Sequence, residues 1–230
     1  MLTPSALALS TLGGELRTRI EGALRALPRP GEPLRGTVRI SAGDGFAELL
    51  SEICAGLSRS HSELRFELEL QEKPVDLARR AADIALRTVH RQEASLRYQK
   101  IGELSYGVFA APQLLTRLDP IRSVRDLKRV PVVSLAAPLD RLPAQRWLNE
   151  RATVVATVST FQGQLGAVRA GLGAAALPEL GASGLERLPS ARDLPSLPVW
   201  LVTRAGTRRE PHVHAVARAL AQQLTERLGA

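Results

Sequence analysis

The residues able to do covalent or redox chemistry are few, and their spacing assembles no known catalytic set. The four histidines are His61, His90, His212 and His214, and Cys54 is the only cysteine. One cysteine excludes an internal disulfide framework and a thiolate metal site. His212 and His214 stand two apart, on different faces of a helix. The chain contains no H-E-x-x-H, Walker A or G-x-S-x-G element. No metal site and no catalytic residue are therefore expected. The carboxylates available for an acid–base pair are Asp44 with Asp83 or Glu179. Asp44 and Asp83 fall at turn and strand ends, where caps and turn bonds account for them equally well.

One stretch raises a cofactor. In "RAGLGAAALP", Gly171, Gly173 and Ala176 spell G-x-G-x-x-A. A dinucleotide site needs a strand before the glycines and a helix after them, so that free N–H groups meet the pyrophosphate. Here the order is reversed. "FQGQLGAVRA" has helical period and precedes Gly171, whereas "AAALP" is short, apolar and closed by Pro178. Gly171 then reads as a left-handed helix cap, and Gly173 as a point of close packing into the next strand. No cofactor is expected.

A binding reading is better supported. "ISAGDGF" and "VSTFQ" each end a strand in a turn that opens a helix. If both strands belong to facing lobes, two helix N-termini aim into one cleft, and such ends suit an anion. Arg87, at the end of "DIALR", offers a bidentate donor. Asp44 opposes this, because its carboxylate can cap the first helix and repel an anionic ligand.

The elements that must hold these groups are read from periodicity. Leu9, Leu12, Leu16, Ile20, Leu24 and Leu27 recur at steps of three or four, a single apolar helical stripe. Pro28, Pro30, Gly31 and Pro33 end it. A helix cut off in this way has little of its own domain to pack on, which points to pairing with another chain. "TVRIS" reads as a strand, "FAELLSEICAGLSRS" as a helix, and "LRFELEL" as a strictly alternating strand. Pro74 opens a short helix through Arg80, and "ADIALR" is a buried strand. The β-α-β-α-β order implies a parallel sheet. A second α/β unit comes next. It comprises strands "SYGVFAA", "VPVVSL", "TVVATVS" and "AAALP", helices from Pro112, at "PAQRWLNE" and at "TFQGQLGAVRAG", and a small capped helix at "SVRDLKR" with Ser123 as N-cap and Asp126 at the third position. "PVWLVTR" and the amphipathic helix "PHVHAVARALAQQLTERL" close the chain.

With 230 residues the chain fits one large domain or two lobes. Aromatics make up 3% of it, so Leu, Val and Ala must fill the core. The net charge of +8 comes from scattered arginines in runs no longer than two, so solvated helix faces explain it without nucleic acid. No apolar run reaches the ~18 residues of a membrane span, and no secretory signal is read at the N-terminus. A cytoplasmic protein is expected.

Seven segments in order, from Leu34 to Leu224, resemble the effector-binding region of LysR-type transcriptional regulators. They are "LRGTVRIS", "SELRFELEL", "DLARRAADIALR", "GVFAAPQLL", "LPAQRWL", "VSTFQGQLGAVRAGLGAAALP" and "REPHVHAVARALAQQL". "LTPSA" resembles the end of that family's winged helix-turn-helix domain, and the leucine-striped helix after it resembles the family's dimerising linker helix. The resemblance implies an α/β fold like the type 2 periplasmic binding proteins: two open mixed sheets flanked by helices, plus the linker helix. The implied organisation is residues 1–33 as linker and hinge, 34–105 with 201–230 as the first lobe, and 106–200 as the second. A small, possibly anionic effector would bind between the lobes of a homodimer or tetramer. DNA would be met only through a helix-turn-helix domain absent from this chain. By the same resemblance the ligand would contact Ser41, Gly43, Asp44, Gly45 and Phe46, then Lys73 and Pro74, then Thr160, Phe161 and Gln162. Arg87, Ser134 and Pro178 would form walls. Alternative functions are an interaction module that pairs with full-length regulators and an enzyme on the same kind of fold.

Overall fold

The computed structural model describes residues 13–15, 17, 34–71, 82–91, 93–189, 194–207 and 210–228. The linker-helix residues Leu9, Leu12, Leu16, Ile20, Leu24 and Leu27 lie outside them. So do Lys73, Pro74 and the helix expected to start there.

The first lobe is built on a five-stranded sheet with the order β2-β1-β3-β10-β4. β1 (Arg35–Ala42) runs parallel to β2 (Glu63–Leu70) over its full length and parallel to β3 (Ile84–Arg87) on its other edge. Parallel neighbours need a crossover element, and α1 (Ala47–Ser60) supplies it between β1 and β2. Its apolar stripe places Leu49, Leu50, Ile53 and Cys54 in the core with Val38 and Ile40 of β1. Side chains as completely buried as Ile40, Leu50 and Ile53 each stabilise the fold by roughly 1.5–3 kcal/mol.

β10 (Leu197–Arg204) returns late in the chain and pairs antiparallel with both β3 and β4 (Leu96–Leu104). β4 is a strand that the sequence reading missed. Its register slips beside Val199 and Trp200, so that Gly102 and Lys100 face consecutive β10 residues and Ile101 is the extra one. An extra residue breaks the period of two on which recognition of a half-buried strand depends. The last helix, α5 (Pro211–Leu228), packs on β4, β1 and β10 and meets α1. A Cβ at Gly102 would lie 2.7 Å from Leu228 Cβ, so only glycine admits the end of this helix.

The second lobe is made in two pieces. β5 (Tyr106–Ala110) lies between β8 (Ala175–Pro178) and the short β9 (Glu186–Arg187), all antiparallel. β6 (Pro131–Leu135) pairs parallel with β7 (Thr153–Val158). The helix expected from Pro112 is a single turn, α2 (Pro112–Leu115). The other two helices are α3 (Pro143–Asn149) and α4 (Phe161–Arg169). Backbone bonds from Val133 N–H to Ala174 O (2.9 Å) and from Ala174 N–H to Pro131 O (2.8 Å) join the two pieces.

Two fully buried glutamines reinforce that joint. Gln145 of α3 donates to Ala176 O at 2.7 Å, and Gln164 of α4 donates to Val133 O at 2.8 Å. The two amides also bond each other, at 3.0 and 3.3 Å.

Candidate functional site

The strand that ends at Leu104 and the one that begins at Tyr106 carry the chain from one lobe to the other. Between the lobes lies a cleft of about 510 Å³, within the usual range for small-molecule sites. The first lobe contributes Gly43, Gly45, Phe46, Leu86, Arg87 and Thr88. The second contributes Tyr106, Leu139, Leu142, Phe161 and Pro178. Val89, Arg91 and Glu93 form an exposed rim, with Val89 62% accessible.

The walls are mainly apolar, and Arg87 brings a positive charge to them. Arg87 is half-buried, and burial lowers its pKa below that of an ordinary guanidinium, with Tyr98 and Glu69 acting in the opposite direction. A guanidinium remains charged there. Its nitrogens donate to Ser41 O (3.2 Å), Leu86 O (3.0 Å) and Ser41 Oγ (3.1 Å). Ser41 is completely buried, so it reaches the cleft only by holding Arg87 in place.

The lobes also touch directly. The Asp44 carboxylate accepts the backbone N–H of Gln162 at 2.9 Å, and the Gln162 side-chain amide donates to Asp44 O at 3.2 Å. Phe161 packs over Gly45, where a Cβ would lie 3.5 Å from its ring. Asp44 thus caps α4 across the cleft, a correction to the expectation that it caps its own helix. The turn that begins at Asp44 carries no side-chain cap of that kind. Thr160 is the N-cap of α4 and accepts the Gly163 N–H at 3.0 Å.

Six of the expected ligand residues therefore line the cleft: Gly43, Gly45, Phe46, Arg87, Phe161 and Pro178. Asp44 and Gln162 form the inter-lobe contact instead, Gln162 borders a small side crevice, and Thr160 caps α4 within its own lobe. Ser134 is buried within the second lobe, donating to Leu135 O and accepting from Asn149. Among the described residues, no group of histidine, cysteine and carboxylate side chains could hold a metal ion. The carboxylates weighed for catalysis are engaged separately. Asp83 takes the Arg39 N–H and Arg204, both at 2.9 Å, and Glu179 pairs with Arg187 at 2.9 Å.

The LysR substrate binding domain, as a sequence family, matches residues 31–225. The chain belongs to the LysR substrate-binding-domain family. Its open sheets have the periplasmic-binding-protein-like architecture of that family. The fold resembles the regulatory domain of CrgA, a LysR-type regulator from Neisseria meningitidis (TM-score 0.66, 19% identity, 85% of this chain and 100% of that one). It also resembles the effector domain of AmpR from Pseudomonas aeruginosa (0.62, 18%, 84% and 100%). A third similar structure is the effector-binding domain of QuiR in complex with shikimate (0.58, 14%, 83% and 99%). No curated protein matches the sequence.

The "RAGLGAAALP" stretch of this LysR domain is resolved by direction. Gly171, at φ +78°, comes after α4, with Gly171 N–H on Val168 O and Leu172 N–H on Ala167 O. These are the two bonds of a Schellman cap. A Cβ at Gly173 would lie 2.9 Å from Pro131 O, so this glycine serves the strand junction.

The sequence reading missed Leu139, Leu142, Val89 and Arg91. They sit in short connecting segments, where no periodicity marks an inward-facing side chain. The only available signal was position, since loops at the ends of strands form the site in open α/β folds.

Proposed function

We propose that this chain is the small-molecule-sensing part of a LysR-type transcriptional regulator, with the effector bound in the cleft between the lobes. The observation that carries this reading is the cleft itself: about 510 Å³, walled by both lobes and bounded by the chain crossing at Leu104–Tyr106. A ligand touching both walls binds one lobe arrangement better than another, and that differential affinity is what shifts a conformational equilibrium. The wall chemistry favours an apolar body bearing an acidic group, held towards Arg87 and Arg91. The complex of QuiR with shikimate is a precedent within the same fold.

The output would pass through the leucine-striped N-terminal segment, in a homodimer or tetramer, to a DNA-binding domain, in the cytoplasm. Turnover is not part of this reading, because Asp44, Asp83 and Glu179 each have a separate structural partner.

The test is a thermal-shift screen with a broad panel of small metabolites. A ligand at a hundred times its Kd adds about 2.7 kcal/mol, which raises the Tm of a domain this size by roughly 5–10 °C. A panel in which nothing raises Tm would remove the main support for a sensor.

A further inference from the structure

We propose that Asp44 is a tethered anionic occupant of the α4 N-terminus, which latches the lobes together and excludes a ligand's acidic group from that helix terminus. A helix N-terminus has unpaired N–H groups and a partial positive charge, so it attracts carboxylates. Here the chain supplies its own. The Gln162 N–H is held by Asp44 Oδ2 at 2.9 Å and the Gly163 N–H by Thr160 at 3.0 Å. The carboxylate comes from the opposite lobe, 118 positions away in sequence.

A second observation shows what this contact costs. Asp44 is only 9% exposed, and its other oxygen, Oδ1, is buried with no hydrogen-bond partner among the described residues. An unsatisfied buried oxygen opposes closure, because it is hydrated once the lobes part. The charge-assisted bond, the helix dipole and the Phe161–Gly45 contact favour closure. Such opposition keeps the closed and open arrangements close in free energy, as a ligand-biased equilibrium requires. The exclusion part of the proposal rests on the effector reading above. The latch part does not.

The test uses the whole chain, Asp44→Ala and sodium formate, with sodium chloride at equal strength as the control. The exchange rate of the Gln162 amide is followed by NMR. Losing a charge-assisted bond should accelerate it about tenfold or more in Asp44→Ala. Formate in the vacated seat should restore the slow rate, and the wild type should not respond to formate. An unchanged Gln162 rate in Asp44→Ala, or one that formate does not slow, overturns the proposal. Asp44→Asn covers the case in which the alanine variant fails to fold. Its neutral amide should leave Gln162 faster than in wild type and insensitive to formate, and a wild-type rate there overturns the proposal equally. Formate rescue alongside an empty metabolite screen would keep the latch and reject the effector reading.

Discussion

Gln145 and Gln164, both fully buried, bond each other and each hold a strand carbonyl, Ala176 O and Val133 O respectively. A buried pair of side-chain amides is stabilising only while every member is satisfied. Gln164→Leu would orphan Val133 O and part of the Gln145 amide. We expect a loss of roughly 2–4 kcal/mol, at about 1–3 kcal/mol per unsatisfied group, in urea unfolding. The double variant with Gln145→Leu should cost less than the sum of the two single changes, because the shared bond is lost only once. Full additivity would show that the amides act independently.

The two glycines after α4 should respond differently to alanine. At Gly171 the obstacle is φ +78°, with the nearest atom, Gln113 Cγ, at 3.4 Å. A left-handed alanine costs about 1–2 kcal/mol. At Gly173 the new Cβ would meet backbone: Pro131 O at 2.9 Å and Val132 C at 3.1 Å. Relief there must move the β6–β8 junction, so Gly173→Ala should be the more damaging, in the range of about 1–3 kcal/mol for overpacking or above it. Equal Tm losses for the two variants would contradict this order.

Cys54 gives a pH-dependent prediction. Burial pushes its thiol up to about 11 from an ordinary value near 9. The folded pKa lies above the unfolded one, so its contribution to stability is complete below about pH 9 and is lost as pH rises through 11. The thiolate is the reactive form, so native protein at pH 8 should label with a thiol reagent far more slowly than protein in urea. Equal rates would place the thiol in solvent.

How far the sequence carried these conclusions depended on the range of each interaction. Local rules placed β1, α1, β2 and α4 and the left-handed Gly171, because each is decided within a few neighbouring residues. β4 was hidden by the extra residue Ile101, which shifts its alternation. Asp44 drew attention as a polar residue in a turn, but its partner Gln162 is fixed only when the two lobes meet. Leu139 and Leu142 became cleft walls through the placement of α3, which rests on the Gln145 and Gln164 bonds rather than on any local pattern.

The claim that the inter-lobe cleft is the ligand site is tested most directly by calorimetric titration of the strongest metabolite hit into wild type and Leu142→Trp. Leu142 is a partly buried wall residue at the start of α3, and a tryptophan there projects into the volume a ligand would fill. Overpacking a bound ligand by about 1–3 kcal/mol predicts affinity weakened by roughly tenfold to a hundredfold, with the Tm of the free protein within a few degrees of wild type. Unchanged affinity in Leu142→Trp would contradict the account.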